Sequence, residues 1–328
     1  PALLTHTQKV LSQGESIAMD QKLIDSLIPE TVHASVAISP KANIDLQNQL
    51  TQLLQYPYGC LEQTSSRAYP LIFATPDKQQ LMGIKPIDEH KRLDMINKGI
   101  ERLAMLQLSN GGYGLWSNTS DEEHWLTAYV GDFLLNARDM GVNVPDEMLS
   151  NTLKRLQHYL ARSSHFYNER WSDNAKNYQF SYKAYAAYVL SRVNQAPLGT
   201  LRSLAKNHSR YALTGLSQTH LAIALNKMGD KKLGNKILAN ALKNLPKRRK
   251  HYLADYGSQI RDLSLMIHLM LKHGHEEDQA IALSFTLAEQ LNQRQYLSTQ
   301  ERNALFLAGL SLKAFDSETW SAKLIMGA

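Results

Sequence analysis

Gln107-Leu108-Ser109-Asn110-Gly111-Gly112-Tyr113-Gly114-Leu115-Trp116 ends one helical pattern and stands before the next, which opens near Glu123. Upstream, over 91–108, Leu93, Ile96, Ile100, Leu103 and Leu106 recur with the period of a helix and share one face, with Lys91, Arg92, Lys98 and Glu101 mostly off it. Glycines at 111, 112 and 114 let the chain reverse sharply, and Tyr113 and Trp116 follow as large apolar groups. Two readings of the turn stand side by side. Tyr113 and Trp116 plug the end of a helix bundle, or they take a direct part in function.

The helical period continues in both directions. Twelve stretches are predicted, near 44–56, 61–74, 91–108, 123–140, 146–162, 179–194, 200–208, 212–228, 231–245, 255–273, 277–292 and 299–313. In 255–273 the stripe is Leu263, Met266, Ile267 and Met270. Gly141, Gly229 and Gly274 are placed to let three helices end through a left-handed residue. Paired amphipathic helices with short connections close into a ring or stack as an open solenoid. The Gln107–Trp116 turn resembles the Gln/Gly/aromatic motif of α/α toroids such as terpene cyclases and prenyltransferase subunits, which favours the ring. Before the helices, Val32, Ala34, Val36 and Ile38 alternate with polar residues between Thr31 and Ser39, the period of a half-buried strand, and Pro40 ends it.

Composition excludes several classes of function. The 328 residues are 43% hydrophobic and 20% charged, a globular balance. The net charge of +6 is dispersed; its one basic run, Lys247-Arg248-Arg249-Lys250, falls between two helical patterns and is expected to be a solvated loop rather than a nucleic-acid patch. No apolar stretch reaches the roughly 20 residues of a membrane-spanning helix. One cysteine rules out an internal disulfide, so the lone thiol needs another explanation.

That explanation lies in Leu53-Leu54-Gln55-Tyr56-Pro57-Tyr58-Gly59-Cys60-Leu61-Glu62-Gln63-Thr64. Pro57 and Gly59 break the preceding helix, and Cys60 comes three residues before the carboxamide of Gln63. On the first turn of a new helix, side chains at that spacing share a face and can meet. Attack of the thiol on the carboxamide would release ammonia and leave a side-chain thioester, an electrophile that acylates amines and hydroxyls once. Such a bond survives only where water is excluded, and Tyr56, Tyr58, Tyr113 and Trp116 are candidates for the shield. A buried, inert cysteine is the alternative.

Pro57-Tyr58-Gly59-Cys60-Leu61-Glu62-Gln63 resembles the thioester motif of the α2-macroglobulin and complement superfamily, and the leucine after the cysteine is similar to the bacterial α2-macroglobulin form. Ile28-Pro29-Glu30 with the strand to Ser39 resembles the join to a flanking β domain, and His124-Trp125-Leu126-Thr127-Ala128-Tyr129-Val130 resembles a helix of these domains. The resemblance implies an all-α fold, an α/α toroid of about six hairpins over 43–313. Residues 1–42 and the return segment 314–328 would then be short β segments of a neighbouring CUB-like domain. It further implies that Cys60 supplies the thiol and Gln63 the acyl carbon, with Gly59, Leu61 and Glu62 completing the motif. The implied role is a single-turnover protease inhibitor, not an enzyme, whose partners are target proteases and the other domains of a longer chain. The full-length protein would be periplasmic, held at the inner membrane by a lipid outside this segment.

Complement-type members redirect the acyl group through a histidine. His158 and His165 lie in the right region, but neither sits in a matching motif, and without such a histidine the acceptor should be a lysine amine. His273-Gly274-His275-Glu276-Glu277-Asp278 and Asp121-Glu122-Glu123-His124 carry metal-capable groups, yet both are expected to be exposed acidic caps at helix starts, with no metal or cofactor. Two rival readings are a toroid enzyme of the cyclase or prenyltransferase kind, which would need an aspartate-rich metal cluster, and a cysteine hydrolase using Cys60. No aspartate cluster of that type and no Ser-His-Asp order is present.

Overall fold

A computed structural model describes residues 14–17, 41–42, 44–55, 59–81, 84–161, 175–249, 254–294 and 296–314. Its regular elements are α1 (Leu46–Leu54), α2 (Leu61–Phe73), α3 (Pro76–Leu81), α4 (Glu89–Leu106), α5 (His124–Asp139), α6 (Asp146–Ala161), α7 (Ala175–Arg192), α8 (Leu198–Asn207), a 3₁₀ turn (Ser209–Tyr211), α9 (Gly215–Lys227), α10 (Lys231–Lys243), α11 (Gln259–Lys272), α12 (Glu277–Leu291) and α13 (Thr299–Ala314). All twelve expected helices are present. The six-residue α3 was not foreseen, because one and a half turns leave no measurable period. The strand expected at 31–39, the segment beyond Ala314, Tyr56, Tyr58 and His165 lie outside the described residues. Among the described residues there is no strand, and no helix is long and apolar enough to cross a membrane.

Local chemistry sets the helix ends. Side-chain oxygens of Asp45, Asp88, Asp230 and Ser258 accept from the amides of Asn48, Lys91, Leu233 and Arg261, satisfying donors the first turn would leave open. Ser298 and Glu301 do the same reciprocally for α13, Ser298 Oγ accepting from the Glu301 amide and Glu301 Oε2 from that of Ser298. Gly141, Gly229 and Gly274 do end helices in the left-handed region.

Burial then sorts the helices into two layers. In α5, α7, α9 and α11 most residues on every face are buried, so these lie inside, whereas α4, α6, α8 and α10 bury one stripe each. Contacts pass from α2 to α5, α7, α9, α11 and α13, and from α13 back to α2, which closes the inner ring. Helices α1, α4, α6, α8, α10 and α12 pack outside it. This is the all-α, six-hairpin α/α toroid.

The axis of the ring is filled. Trp125 stacks on Tyr129 at 5.6 Å, Tyr185 lies flat on His220 at 4.2 Å, and the Arg261 guanidinium sits 4.4 Å above the Trp125 ring. Below them, buried Asp132 of α5 accepts from Tyr69 of α2, from Tyr185 and Arg192 of α7 and from its neighbour Asn136, which in turn accepts from Lys272 of α11. One carboxylate thus ties four inner helices together.

Two surface expectations are corrected. Arg249 of the basic run turns inward and pairs with Asp255 and Asp262, because the ring leaves two buried carboxylates that need a cation. Arg92 is likewise buried, donating to the Leu71 carbonyl and to Glu89.

Burial also sets the acid response. It pushes His124 down to about 4 and His220, His268 and His273 to about 3, from an ordinary 6.5. With folded values below the unfolded one, their contribution is fully present above pH 6.5 and is lost as pH falls toward 3. Burial lowers His208 and His275 as well, and it pushes Glu62 and Glu123 up, which acts in the opposite sense. The melting temperature should be level between pH 6.5 and about 8, where Lys272 begins to lose its proton in the folded state, and fall by at least ~10 °C by pH 4. A level curve down to pH 4 would contradict neutral buried histidines.

Candidate functional site

Cys60 caps α2. Its extended backbone lets the carbonyl accept the first helical bond, from Thr64 at 2.9 Å, and its sulfur accepts from the Gln63 amide. The Gln63 side chain folds back, its Oε1 accepting from the Cys60 amide at 3.3 Å. In this reciprocal cap the thiol and the carboxamide each engage the other residue's backbone amide at the start of α2. Cys60 is 5% exposed and Leu61 fully buried, while Gln63 is half-buried. As the one cysteine, Cys60 makes no disulfide, and its sulfur is the chain's only thiol sulfur. Burial pushes that thiol up, against the Gln63 amide that favours the thiolate, and the neighbouring Glu62 carboxylate adds to the rise.

The glycine-rich turn seats the site. The Leu61 amide, freed by the helix start, donates to the Leu115 carbonyl at 2.9 Å. The turn is in turn bolted to the outer layer. Gln107 Nε2 donates to the Met148 carbonyl and to Thr152 Oγ1, and the Tyr113 hydroxyl shares a hydrogen with Thr152 at 2.8 Å. Tyr113 is completely buried, as a plug should be. Trp116 is not a plug: it is 61% exposed, one residue beyond the carbonyl that holds Leu61.

The segment 121–124 is an exposed cap only in part: Asp121 is exposed and Glu123 stands at the N-cap of α5, but Glu122 is partly buried, with Arg155 and the Tyr159 hydroxyl donating to it, and buried His124 stacks on Tyr182 at 5.0 Å. Burial opposes ionisation of Glu122, but Arg155 and His124 hold its carboxyl below the usual range. Nor is His273 free at its helix end, since its Nε2 meets the Tyr188 hydroxyl at 3.1 Å. Among the described residues no three His, Cys, Asp or Glu side chains lie close enough to hold a metal.

Gly111 is where this loop cannot change. Its φ is +86°, and a Cβ there would lie 2.3 Å from the Asn151 carbonyl oxygen. Gly111→Ala should cost about 3 kcal/mol and speed exchange of the Leu61 amide proton, read by urea unfolding and hydrogen exchange. Wild-type stability would contradict the clash. Gly59 shows no such demand, since its Cβ would meet only Thr64 Oγ1 at 3.9 Å.

Glu62 is the residue whose surroundings the sequence does not announce. It is buried with no ion pair among the described residues, and it accepts from Thr299 Oγ1 at 2.9 and 2.7 Å and from Ser66 Oγ at 2.8 Å. Gln300 Nε2 donates to Ser66 at 3.1 Å, and Tyr129 and Asn303 extend the chain of bonds into α5 and α13. Thr299 and Gln300 carry no motif and lie over 230 residues away.

With this geometry established, comparison with known proteins is decisive. The family model described as the A-macroglobulin TED domain matches residues 30–220, and so includes Cys60, Gln63 and the glycine-rich turn. The chain belongs to the α2-macroglobulin family. The α2-macroglobulin of Escherichia coli is 36% identical over 325 residues, which is 98% of this chain and 19% of that protein. The crystal structure of native E. coli α2-macroglobulin from domain MG7 to the C-terminus superposes with a TM-score of 0.80 at 39% identity, covering 84% of this chain and 43% of that one. Salmonella α2-macroglobulin reacted with methylamine gives 0.79 at 40% identity, covering 83% and 18%. The chain thus spans about a fifth of the curated α2-macroglobulin it matches, and what it contains is the thioester domain.

Proposed function

We propose that Cys60 and Gln63 form an internal thioester with which the longer protein captures a protease covalently, once per molecule. The observation that carries this reading is the reciprocal cap of Cys60 and Gln63, buried at the start of α2 in a chain of this family. The geometry suits the chemistry. As Sγ attacks the Gln63 carboxamide carbon, negative charge grows on Oε1, where the Cys60 amide already points. The C–N bond breaks, nitrogen leaves with the thiol proton as ammonia, and the acyl carbon stays on sulfur. Capture reverses the roles: a lysine amine attacks the same carbon, Cys60 leaves and regains a proton, and Gln63 becomes an isopeptide.

Bait cleavage elsewhere in the longer chain would expose the bond, and a protease lysine is the acceptor favoured in the absence of a matched histidine. On this reading Trp116, exposed one residue beyond the Leu115 carbonyl that accepts from the Leu61 amide, helps to cover the bond from outside. A periplasmic setting with a lipid anchor outside this segment belongs to the same proposal. The toroid-enzyme alternative is not favoured, because the axis where such enzymes hold substrate is packed with Trp125, Tyr129, Tyr185 and His220.

The test is to mix the longer protein with a protease and look for a product that survives denaturation and reduction. Its isopeptide should map to Gln63, at no more than one per chain. Repeated substrate turnover, or a cross-link elsewhere, would sink the reading.

A further inference from the structure

We propose that Glu62 and Thr299 form a latch that restrains the Cys60–Gln63 thioester by tying the first turn of α2 to the first turn of α13; this rests on the functional reading above. The two helices are the first and last of the inner ring, so the latch lies at the seam where the ring closes. Thr299 Oγ1 lies within hydrogen-bonding distance of both Glu62 oxygens, Ser66 Oγ donates to one of them, and Gln300 Nε2 donates in turn to Ser66. Glu62 sits inside the Cys60–Gln63 loop, so moving it moves the reacting pair.

The same seam takes the load of both flanking connections. Helix α1 packs on α13, with Leu46 pressed against Gly309, Lys41 Nζ donating to the Leu312 carbonyl at 2.8 Å and Arg302 donating to Gln49 at 3.2 Å. The chain therefore runs into α1 and out of α13 side by side. A shift delivered through either connection reaches Thr299 within one rigid helix and, through Thr299, the turn that holds the thioester. Glu62 and Thr299 are positioning residues: neither is required to touch the incoming amine.

The experiment compares wild type, Thr299→Val, Thr299→Ser and Arg302→Met by intact mass and by the rate of methylamine incorporation, well below their melting temperatures. Valine keeps the shape but leaves the buried carboxylate short of a donor, so the rate should rise roughly tenfold, while serine restores it to within about twofold. Thr299→Val purified with its thioester already lost, beside an intact Thr299→Ser, supports the latch equally. Arg302→Met loosens the same seam away from Glu62 and should lower the melting temperature without changing the rate. Should Thr299→Val fail to fold, Ser66→Ala removes one donor and should give roughly a threefold rise. A rate in Thr299→Val, or in its substitute, unchanged from wild type overturns the latch, as does equal acceleration in Arg302→Met. A wild type without a thioester overturns the functional reading and the latch with it.

Discussion

Cys60→Ala abolishes incorporation of a labelled amine at Gln63, leaves an unmodified carboxamide there and prevents covalent capture by the longer chain. The fold survives: Cys60 stands at the start of α2, where its sulfur is a weak acceptor for one amide, so alanine should cost only about 1 kcal/mol. Gln63→Glu separates the two halves of the chemistry. It keeps the thiol but presents a carboxylate, which expels no amine, so labelling is again lost while one thiol per chain titrates. Peptide mapping after exposure to the labelled amine reads both variants. Amine incorporation at Gln63 in Cys60→Ala would show that the carbonyl is activated by something other than sulfur.

The second large effect is on the ring itself. Asp132→Ala removes the carboxylate that accepts from Tyr69 at 2.7 Å, Tyr185 at 3.1 Å and Arg192 at 2.5 Å. Although burial favours its neutral form, Arg192 and Lys272 hold this carboxyl down to about 2, so the buried guanidinium is balanced by a full negative charge near neutrality. Alanine leaves the inner end of Arg192 without its partner in the middle of the ring. The expected loss is about 3–5 kcal/mol, or a melting temperature lower by ~10 °C. Asp132→Asn, which keeps the shape and some of the bonds, should fall between. Equal melting of all three would mean that the knot contributes nothing to ring closure.

The helices were legible because long amphipathic segments repeat their signal over several turns, and the glycines at 141, 229 and 274 mark their ends chemically. The reciprocal cap of Cys60 and Gln63 is local in the same way, since three residues on a helix start fix its geometry. What could not be read depends on ring closure. Glu122 and Arg249 look like surface charges in sequence, and only the packing of α5 on α6 and of the 245–249 segment on α11 turns them inward toward Arg155 and toward Asp255 and Asp262. Thr299 meets Glu62 across the whole domain, a relation that no local pattern encodes. Trp116 misled in the opposite direction: its size suggested a plug, yet the backbone beside it, not its ring, makes the contact to α2.

The measurement that reaches the central claim most directly is the intact mass of freshly purified protein before and after methylamine, with thiols titrated alongside. The account predicts a mass one ammonia below that of the sequence with no reactive thiol, rising after methylamine to one methylene above the sequence mass as one thiol appears. The sequence mass with one free thiol, unchanged by methylamine, would contradict it.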